Sequence, residues 1–365
     1  MKIKRILKWS AGAILLALLL FLFIAYWRST NDCNIPLQGE IMKAIKVCEY
    51  GIGAAHIADT IKPVPNDDRV LIKVHAASLN SLDIFMTRDT WITRAVLGLR
   101  KPRYTWRGRD LAGVVEAVGK NVTQFKPGDE VFGICNGSLA DYAVARERAL
   151  VIKPPNVSFE DAATLALAGQ TALQGLRHGK IQAGQKVLVN GATGGVGTFG
   201  VQLAKALGAE VTAVCSTGNV DLVRSIGADR VIDYAKDDFT KSGERYDIIF
   251  DNVGNHSMSE RRRVLTPNGI CVLVGFGGTS TTGSAAIGRI LTTTIAPLLS
   301  SFTRQKFVQY VTKLSNEDLV FLGDLLQSGK LRSVIEKTYK LADAPEAFRR
   351  FDQGHMRGKL VIKMD

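Results

Sequence analysis

The chain has 365 residues, of which 46% are hydrophobic and 22% charged, a composition typical of a globular protein with a substantial core. This length allows two or three domains. The formal net charge is +13, and residues 1–41 hold five basic and two acidic side chains, so +10 is spread over the rest. We find no basic stripe interleaved with aromatic residues. The charge therefore favours a surface that attracts anionic lipid head groups or cofactor phosphates over a nucleic-acid site.

The cysteines and histidines argue against a disulfide framework and a metal site. Five cysteines are scattered, odd in number and free of CxxC spacing: Cys33, Cys48, Cys135, Cys215 and Cys271. The five histidines show no paired spacing with cysteine or carboxylate residues. We therefore expect reduced, mostly buried thiols and no zinc cage.

Residues 9–27 form an uncharged apolar run, close to the ~20 residues with which a helix crosses the hydrocarbon core. Trp9 and Trp27 bracket the run and the basic flank 1–8 precedes it, which predicts a single N-terminal transmembrane anchor. A cleaved signal peptide is the alternative, but the run exceeds the usual ~7–15 apolar residues and no small-residue cleavage site follows. The polar residues 28–41 suit a tether.

The rest of the chain shows two different sequence patterns. From residue 42 to about 150, short strand-like runs separated by Pro, Gly, Asn and Asp predict a small, mostly antiparallel β domain. After Pro154 and Pro155, a helical stretch leads into alternating apolar and amphipathic segments, which predict a parallel sheet with crossover helices. The Ser-, Thr-, Gly- and Ala-rich residues 279–302 predict a loop and a helix that covers a pocket, with a dimer contact or a membrane-touching lid as the alternatives.

The strongest local signal is a strand, a glycine-rich turn and a helix in succession. Strand Lys186–Asn190 leads into the turn, and an amphipathic segment follows to residue 207. Glycines permit the tight turn and the close approach of a pyrophosphate, and the helix N-terminus favours the anion. We predict a dinucleotide site, in which Ala192 replaces the first glycine of the fingerprint. The turn residues are Gly191, Ala192, Thr193, Gly194, Gly195, Val196 and Gly197.

The end of the next strand, Glu210–Cys215, indicates which dinucleotide binds. Chains that bind NAD carry an acidic residue about 20 positions after the turn, whereas this strand ends in Ser216 and Thr217. Hydroxyl and N–H groups there, with no carboxylate to repel a 2′-phosphate, predict NADPH. No Lys or Arg stands at positions 216–219. Tyr234 is expected along the adenosine ribose.

Four motifs, at residues 107–119, 125–131, 190–197 and 227–234, together resemble the medium-chain dehydrogenase/reductase superfamily. The nearest resemblance is to its quinone-oxidoreductase branch, including reticulon-interacting mitochondrial proteins, and it spans residues 42–363. The resemblance implies an α/β fold with two domains. These are a GroES-like substrate domain at 42–163, completed by 305–365, and a Rossmann NADPH-binding domain inserted at 164–304, with the active site in the cleft.

Zinc-dependent members of this superfamily use an early Cys, a Gly-His-Glu stretch and a later Cys as catalytic ligands. The matching positions here are Ser81 or its neighbours, Arg109 with Asp110, and residues 164–168. A thiolate and imidazole site cannot be assembled from these residues, and the four-cysteine structural lobe is missing. The resemblance therefore implies a zinc-free enzyme with no metal site.

The resemblance also implies which residues surround the nicotinamide. Asn80 and Asp83 match polar positions that orient the acceptor or relay a proton; fixing their own loop through backbone hydrogen bonds is an equally weighted alternative. Thr171 matches a position near the nicotinamide ribose. Four residues fall at strand ends facing the cofactor cleft, with plain packing as the competing account: Val253, Gly254, Gly275 and Phe276.

The predicted function is hydride transfer from NADPH to a small lipophilic electrophile, either a quinone or an α,β-unsaturated carbonyl, at a membrane. The alternatives are a catalytically inactive NADPH-binding scaffold or sensor, and an enoyl-thioester reductase. The charge bias across the anchor is small, and because soluble NADPH is expected in the cytosol, we expect a cytosol-facing globular part. A homodimer is left open.

Overall fold

Two β-sheets organise the chain in this computed structural model, which describes residues 36–274 and 303–364. Outside these ranges it describes residues 16, 19–21, 23, 24, 26, 27, 31, 33 and 300. Gly275, Phe276, most of the apolar run 9–27 and nearly all of the predicted covering segment 279–302 therefore lie outside the described residues. In the part of the chain that is described, no helix is both long and apolar enough to cross a membrane.

Fifteen strands and eight α-helices of the described residues carry the argument below. The strands are β1 (Ile41–Val47), β2 (Ala55–Ile61), β3 (Arg69–Ser78), β4 (Asp110–Val118), β5 (Glu130–Ile134), β6 (Tyr142–Arg146), β7 (Leu150–Ile152), β8 (Lys186–Asn190), β9 (Glu210–Cys215), β10 (Arg230–Asp233), β11 (Tyr246–Asp251), β12 (Leu265–Leu273), β13 (Lys306–Gln309), β14 (Ile335–Lys340) and β15 (Lys359–Lys363). The helices are α1 (Ser81–Thr87), α2 (Trp91–Leu97), α3 (Phe159–His178), α4 (Gly195–Ala206), α5 (Val220–Ser225), α6 (Met258–Arg263), α7 (Asn316–Gln327) and α8 (Ala344–Asp352).

The first sheet is mostly antiparallel, as predicted. Its order is β14-β15-β3-β4-β5-β7, with β6 paired to β3, and β1 and β2 form a separate hairpin. The C-terminal strand β15 pairs with β3, so the end of the chain returns to the sheet built by its first hundred residues. This return places Lys359, the first residue of β15, close to the helix α1 that follows β3.

The second sheet is parallel and has the order β10-β9-β8-β11-β12-β13. Its central strands are buried almost throughout, as expected for a parallel sheet covered on both faces. The strand order reverses between β8 and β11, and the carboxyl ends of two such strands form the crevice in which ligands bind. The α/β architecture predicted from the sequence is confirmed.

The assignment of residues 305–365 to the first domain differs from the structure at one strand. Lys306–Gln309 pairs in parallel with the end of β12, from Ile270 to Leu273, and forms the edge of the second sheet. This strand has only four residues, two of them polar, so the sequence gives no clear strand pattern there. Helices α1 and α2 also lie within residues 42–150, where the sequence predicts only strands and turns.

Helix α3 joins the two sheets through one continuous core. Its N-cap Ser158 accepts a hydrogen bond from the backbone of Asp161, and its apolar residues are buried along nearly the whole length. The same core includes Phe132 of the first sheet and Val189 and Phe250 of the second. The two sheets are therefore joined by closely packed side chains along α3.

The expectation of reduced cysteines is wrong for one pair. Cys33 and Cys48 form a disulfide with a Cα–Cα distance of 5.9 Å. Asn31 donates a hydrogen bond to the carbonyl of Cys48 at 2.8 Å, so two contacts fasten the tether to the end of β1. A lone pair of cysteines 15 residues apart gives no such signal in the sequence. The remaining three, Cys135, Cys215 and Cys271, are free and buried, as predicted.

Candidate functional site

The glycine-rich turn lies at the carboxyl end of β8, as the sequence predicts. Gly191 has φ of 77°, a conformation that favours glycine, and a Cβ on Gly197 would overlap the carbonyl oxygen of Gly191. These two glycines therefore allow the turn to close against the first turn of α4. A Cβ built on Gly194 has its nearest neighbour 3.9 Å away, so the turn is open at this residue.

A buried carboxylate orders the neighbouring strand end. Asp251 accepts hydrogen bonds from the amide of Asn190 at 2.9 Å and from the backbone N–H groups of Val253 and Gly254 at 3.1 and 2.9 Å. Arg261, almost fully buried, lies 2.7 Å from its other oxygen. This network fixes the turn after β11 beside the turn after β8, where a ligand would meet both.

The ends of β9 and β10 bring three predicted residues together. Ser216 accepts a hydrogen bond from Asn219 at 2.9 Å, and the Thr217 hydroxyl donates to the Asp233 carboxylate at 2.7 Å. Tyr234 follows Asp233 and is 52% exposed, so its ring is available to a ligand.

The structure brings the Asp233 carboxylate to the end of β9, where the sequence predicts no carboxylate. The Thr217 hydrogen bond holds the pKa of Asp233 below its usual range, with backbone and lysine contributions in the same direction. Lys236 lies 3.5 Å from the same carboxylate. The Asp233 carboxylate, which could repel a 2′-phosphate, therefore lies next to Thr217. The Thr217 hydroxyl and the Lys236 ammonium already contact it.

Asp83 fixes the loop in which it lies. One of its oxygens accepts the backbone N–H of Asn80 and the other accepts that of Gly108, each at 2.9 Å. The side chain is 1% exposed, and this burial raises the pKa of Asp83, while the two backbone hydrogen bonds oppose the rise. The bond from Asn80 belongs to a capping box at the start of α1, and the bond from Gly108 ties this cap to the segment before β4. Of the two readings left open by the sequence, loop fixation matches this geometry.

Asn80 belongs to a buried cluster that the sequence reading missed. Its amide donates to Asp110 at 3.0 Å, and its carbonyl oxygen accepts a hydrogen bond from the Lys359 ammonium at 2.6 Å. Lys359 also lies 3.1 Å from Asp110, and these two side chains are 3% and 0% exposed. Ser78 and the backbone N–H of Leu167 complete the set of donors around Asp110, both within 2.9 Å.

This cluster touches the cofactor turn directly. A Cβ built on Gly195 would lie 2.7 Å from the Lys359 side chain, and the N–H of Gly358 donates to the Thr193 carbonyl at 2.6 Å. Gly194 and Gly358 also form an isolated parallel bridge. The first sheet thus packs the Lys359 side chain against the N-terminus of α4, with its ammonium held by Asn80 and Asp110. The signal in the sequence was a lysine directly before the apolar residues 360–362 of the returning strand.

Thr171 lies on α3 at the edge of this cleft. Its hydroxyl donates to the Leu167 carbonyl at 2.7 Å and lies 2.9 Å from the Thr312 hydroxyl. The Tyr310 hydroxyl donates to the Thr171 carbonyl. Since Leu167 also contacts Asp110, Thr171 is one helical turn from the Lys359 cluster. A role at the nicotinamide ribose stays a prediction.

The residues at the zinc-ligand positions do not fit a zinc ion. Asp110 uses both oxygens in the hydrogen bonds above, and Arg109 precedes it where a histidine would be needed. The nearby Cys135 is buried, which raises the pKa of its thiol to about 12 and keeps it from acting as a thiolate. Over the described residues, no three His, Cys, Asp or Glu side chains are grouped to hold a metal.

The turn does fit a dinucleotide. It offers an opening at Gly194, the N-terminus of the twelve-residue helix α4 and the nearby charge of Lys359. Helix N-termini of this kind bind phosphates through unpaired N–H groups and the helix dipole. Val253 packs beside the turn, since a Cβ on Gly191 would lie 2.7 Å from its side chain, and Gly254 follows it in the chain.

Comparisons with known proteins agree with this geometry. The family model described as alcohol dehydrogenase GroES-like domain matches residues 66–155, and that described as zinc-binding dehydrogenase matches residues 226–362. The chloroplastic quinone-oxidoreductase QR1 of Triphysaria versicolor is 33% identical over 343 residues, covering 90% of this chain and 100% of the relative.

Two further relatives and a solved structure extend the comparison. Trans-enoyl reductase pgmF of Aspergillus terreus is 34% identical and covers 82% of this chain and 87% of its own length. The mitochondrial NAD(P)H oxidoreductase RTN4IP1 of Bos taurus is 34% identical and covers 82% of each chain. The quinone oxidoreductase structure from Coxiella burnetii has a TM-score of 0.77 at 29% identity, covering 89% of this chain and 100% of that one. The protein is therefore a nicotinamide-dependent oxidoreductase that belongs to the medium-chain dehydrogenase/reductase superfamily, with quinone-oxidoreductase-like relatives.

Proposed function

We propose that the protein reduces a quinone or an α,β-unsaturated carbonyl with NADPH at a membrane surface. The observation that carries this proposal is the junction of Asn80, Lys359 and the turn 191–197, where the polar end of one sheet meets the dinucleotide turn of the other. Among the described residues there, no set fits zinc, and we therefore propose an acceptor that is already electrophilic. When bound, NADPH supplies the hydride.

The chain's own residues hold and orient the reactants. The N–H groups at the start of α4 bind the pyrophosphate, and the Asp251 network keeps Val253 and Gly254 beside it. We propose that Leu82 and Phe85 of α1, which are three residues apart and 38% and 36% exposed, form an apolar wall for a lipophilic ring.

Two-electron reduction of the acceptor also needs a proton. Asp83 is a poor source, because both of its oxygens accept backbone hydrogen bonds. Lys359 has three donors, of which two serve Asn80 and Asp110. We assign to Lys359 the stabilisation of the negative charge that hydride transfer leaves on the acceptor oxygen, and to Asn80 the positioning of that ammonium. Solvent water then supplies the proton that completes the reduction.

NADPH is preferred over NADH in this proposal because Ser216, Thr217 and Tyr234 surround the expected position of the 2′-phosphate and Lys236 adds a cation. The Thr217→Asp variant tests this preference, since it places a second carboxylate beside Asp233. We expect kcat/KM with NADPH to fall at least about tenfold, or about 1.4 kcal/mol, with NADH nearly unaffected. Equal losses with both cofactors would contradict the assignment.

The test of the activity is NADPH oxidation by the purified protein, with and without residues 1–41, against a panel of quinones and conjugated enals. NADH and added zinc are the controls. Turnover with NADPH and no zinc supports the proposal. Tight NADPH binding without turnover of any acceptor would favour the scaffold or sensor, and zinc-dependent activity would contradict the interpretation of the site.

An enoyl-thioester reductase is the second candidate. Its support is the 34% identity to a trans-enoyl reductase over 82% of the chain. It differs from a quinone reductase in needing room for a long acyl chain. Reduction of enoyl thioesters with a kcat/KM above that of every quinone in the panel would make this the better assignment.

We further propose that residues 9–27 anchor the protein in a bilayer. Their uncharged apolar sequence and flanking tryptophans support this, and resistance of the full-length protein to alkaline extraction from membranes tests it. The side on which the enzyme faces is a separate question. The need for NADPH favours the cytosol, whereas the Cys33–Cys48 disulfide favours an oxidising compartment. Alkylation of thiols in intact cells, before and after reduction, distinguishes the two.

A further inference from the structure

The segment from residue 90 to residue 109 has an unusual charge. It contains six basic and no acidic side chains, although Asp89 and Asp110 flank it directly. It also holds Trp91, Tyr104 and Trp106. Its cations are irregularly spaced, so the segment does not form a regular basic stripe.

Hydrogen bonds hold this segment against helix α1. The buried Arg107 donates to the carbonyls of Tyr104 and Met86 and to the Thr87 hydroxyl, each at 2.8 Å. Burial lowers the pKa of Arg107 to about 10, still well above neutrality, so it remains a cation. It ties the loop after α2 to the end of α1.

Further hydrogen bonds complete this substructure. Thr93 of α2 donates to the Phe85 carbonyl of α1 at 3.1 Å, and the N–H of Arg103 donates to the Leu97 carbonyl at 2.9 Å. Because Asn80 is the N-cap of α1, the whole substructure is attached to the acceptor side of the cleft.

Among the exposed side chains of this substructure, we call these five the α2 patch: Trp91, Val96, Arg100, Arg103 and Tyr104. Trp91, Val96 and Tyr104 are 60%, 67% and 43% exposed, and both arginines are exposed. Single exposed apolar residues are ordinary, but three among cations within 14 residues are not. Amphipathic aromatic and basic side chains of this kind are enriched at bilayer interfaces.

The patch is also continuous with the end of the apolar N-terminal run. The Arg100 guanidinium lies 5.8 Å from the centre of the Tyr26 ring, within reach of a cation–π interaction. Tyr26 and Trp27 are themselves 48% and 65% exposed. The aromatic end of the run and the α2 patch therefore lie on the same side of the protein.

We infer that the α2 patch rests on an anionic lipid surface and presents the acceptor side of the cleft to the bilayer. The arginines pair with lipid phosphates, while Trp91, Val96 and Tyr104 enter the head-group region. A lipophilic acceptor then moves between the bilayer and the wall formed by Leu82 and Phe85 without crossing water. This inference rests on the proposed function and deepens it by naming the surface from which the substrate comes.

The test uses the full-length protein in phosphatidylcholine vesicles with and without phosphatidylglycerol. Quenching of tryptophan fluorescence by lipids brominated near the head group is compared between wild type and Trp91→Phe, so the difference reports Trp91 alone. We expect Trp91 to be quenched, and more strongly with phosphatidylglycerol. The paired change Arg100→Glu with Arg103→Glu should reduce this quenching, whereas Lys126→Glu with Arg148→Glu, an equal charge change at exposed residues outside the patch, should not.

Activity supplies the second readout. With a long-chain quinone in the vesicles, the Arg100→Glu and Arg103→Glu pair should raise KM roughly tenfold or more, given an attraction on the order of 1 kcal/mol per basic residue. With a short-chain soluble quinone, kcat/KM should be unchanged. Absence of Trp91 quenching, or equal effects in the patch and control pairs, overturns the inference, as does capture of RNA or a protein by the patch without any response to vesicles.

The outcomes separate this inference from the proposed function. If no acceptor is reduced, the activity fails, yet the Trp91 quenching still reports the patch. If the protein is extracted by alkali, the anchor fails, and quenching that is lost at high salt would still support the patch. Turnover of the embedded quinone without Trp91 quenching would support the proposed activity and contradict the inference about the α2 patch.

Discussion

Replacement of Lys359 by methionine removes the one buried cation that the first sheet presents to the cofactor turn among the described residues. Asp110 would then remain buried at 0% exposure without its ion pair. Removal of one partner from such a pair costs about 3–5 kcal/mol. Ser78, Asn80 and the Leu167 N–H still donate to Asp110, so we expect the lower end, about 3 kcal/mol of the free energy of unfolding.

The same change should weaken cofactor binding independently of stability. Lys359 packs against Gly195 at the start of α4, where a pyrophosphate would bind, so we expect the Kd for NADPH to rise roughly tenfold, about 1.4 kcal/mol. Denaturant unfolding measures the first effect and fluorescence titration with NADPH the second. The double variant Lys359→Met with Asp110→Asn should recover much of the stability but none of the affinity.

Lys153 provides the matched control. It is also buried, 4% exposed, and lies 3.0 Å from Glu130, but it caps the loop before α3 rather than the cofactor turn. Lys153→Met should lower the free energy of unfolding and leave the NADPH Kd unchanged. An unaltered NADPH Kd in folded Lys359→Met, or an equal change in both variants, would refute the reasoning.

Three further predictions follow from the same contacts. Gly197→Ala should abolish NADPH binding because its Cβ would overlap the Gly191 carbonyl, whereas Gly53→Ala, with open space around it and far from the turn in the first domain, should bind normally in the same titration. Burial lowers the pKa of His75, so the unfolded state takes up protons first on acidification. The free energy of unfolding should therefore fall as pH drops through the ordinary His range near 6.5, and His75→Gln should flatten this slope in urea melts. Reductant should lower the thermal midpoint of wild type through loss of the Cys33–Cys48 bond, worth up to about 3 kcal/mol for a loop of this length, and leave a Cys33→Ser, Cys48→Ser variant unaffected.

The sequence alone determined the features that depend on neighbours in the chain. The turn 191–197 could be predicted because a strand, glycines and a helix must follow one another within twenty residues to bind a dinucleotide. The parallel sheet could be predicted because its strands are continuous apolar runs between amphipathic helices. The absence of zinc ligands at Ser81 and Arg109 was likewise a matter of residue type at given positions.

Only the tertiary structure decided the features made by distant segments. Lys359 reaches Asn80 across 279 positions because β15 pairs with β3, and no local pattern records that pairing. Asp233 reaches Thr217 because two parallel strands end together. In the same way, the roles of Asp83 and Arg107 follow from the backbone groups that surround them. Composition and periodicity report how a residue meets its sequence neighbours, whereas the charges of a buried site are set by whichever segments the fold brings into contact.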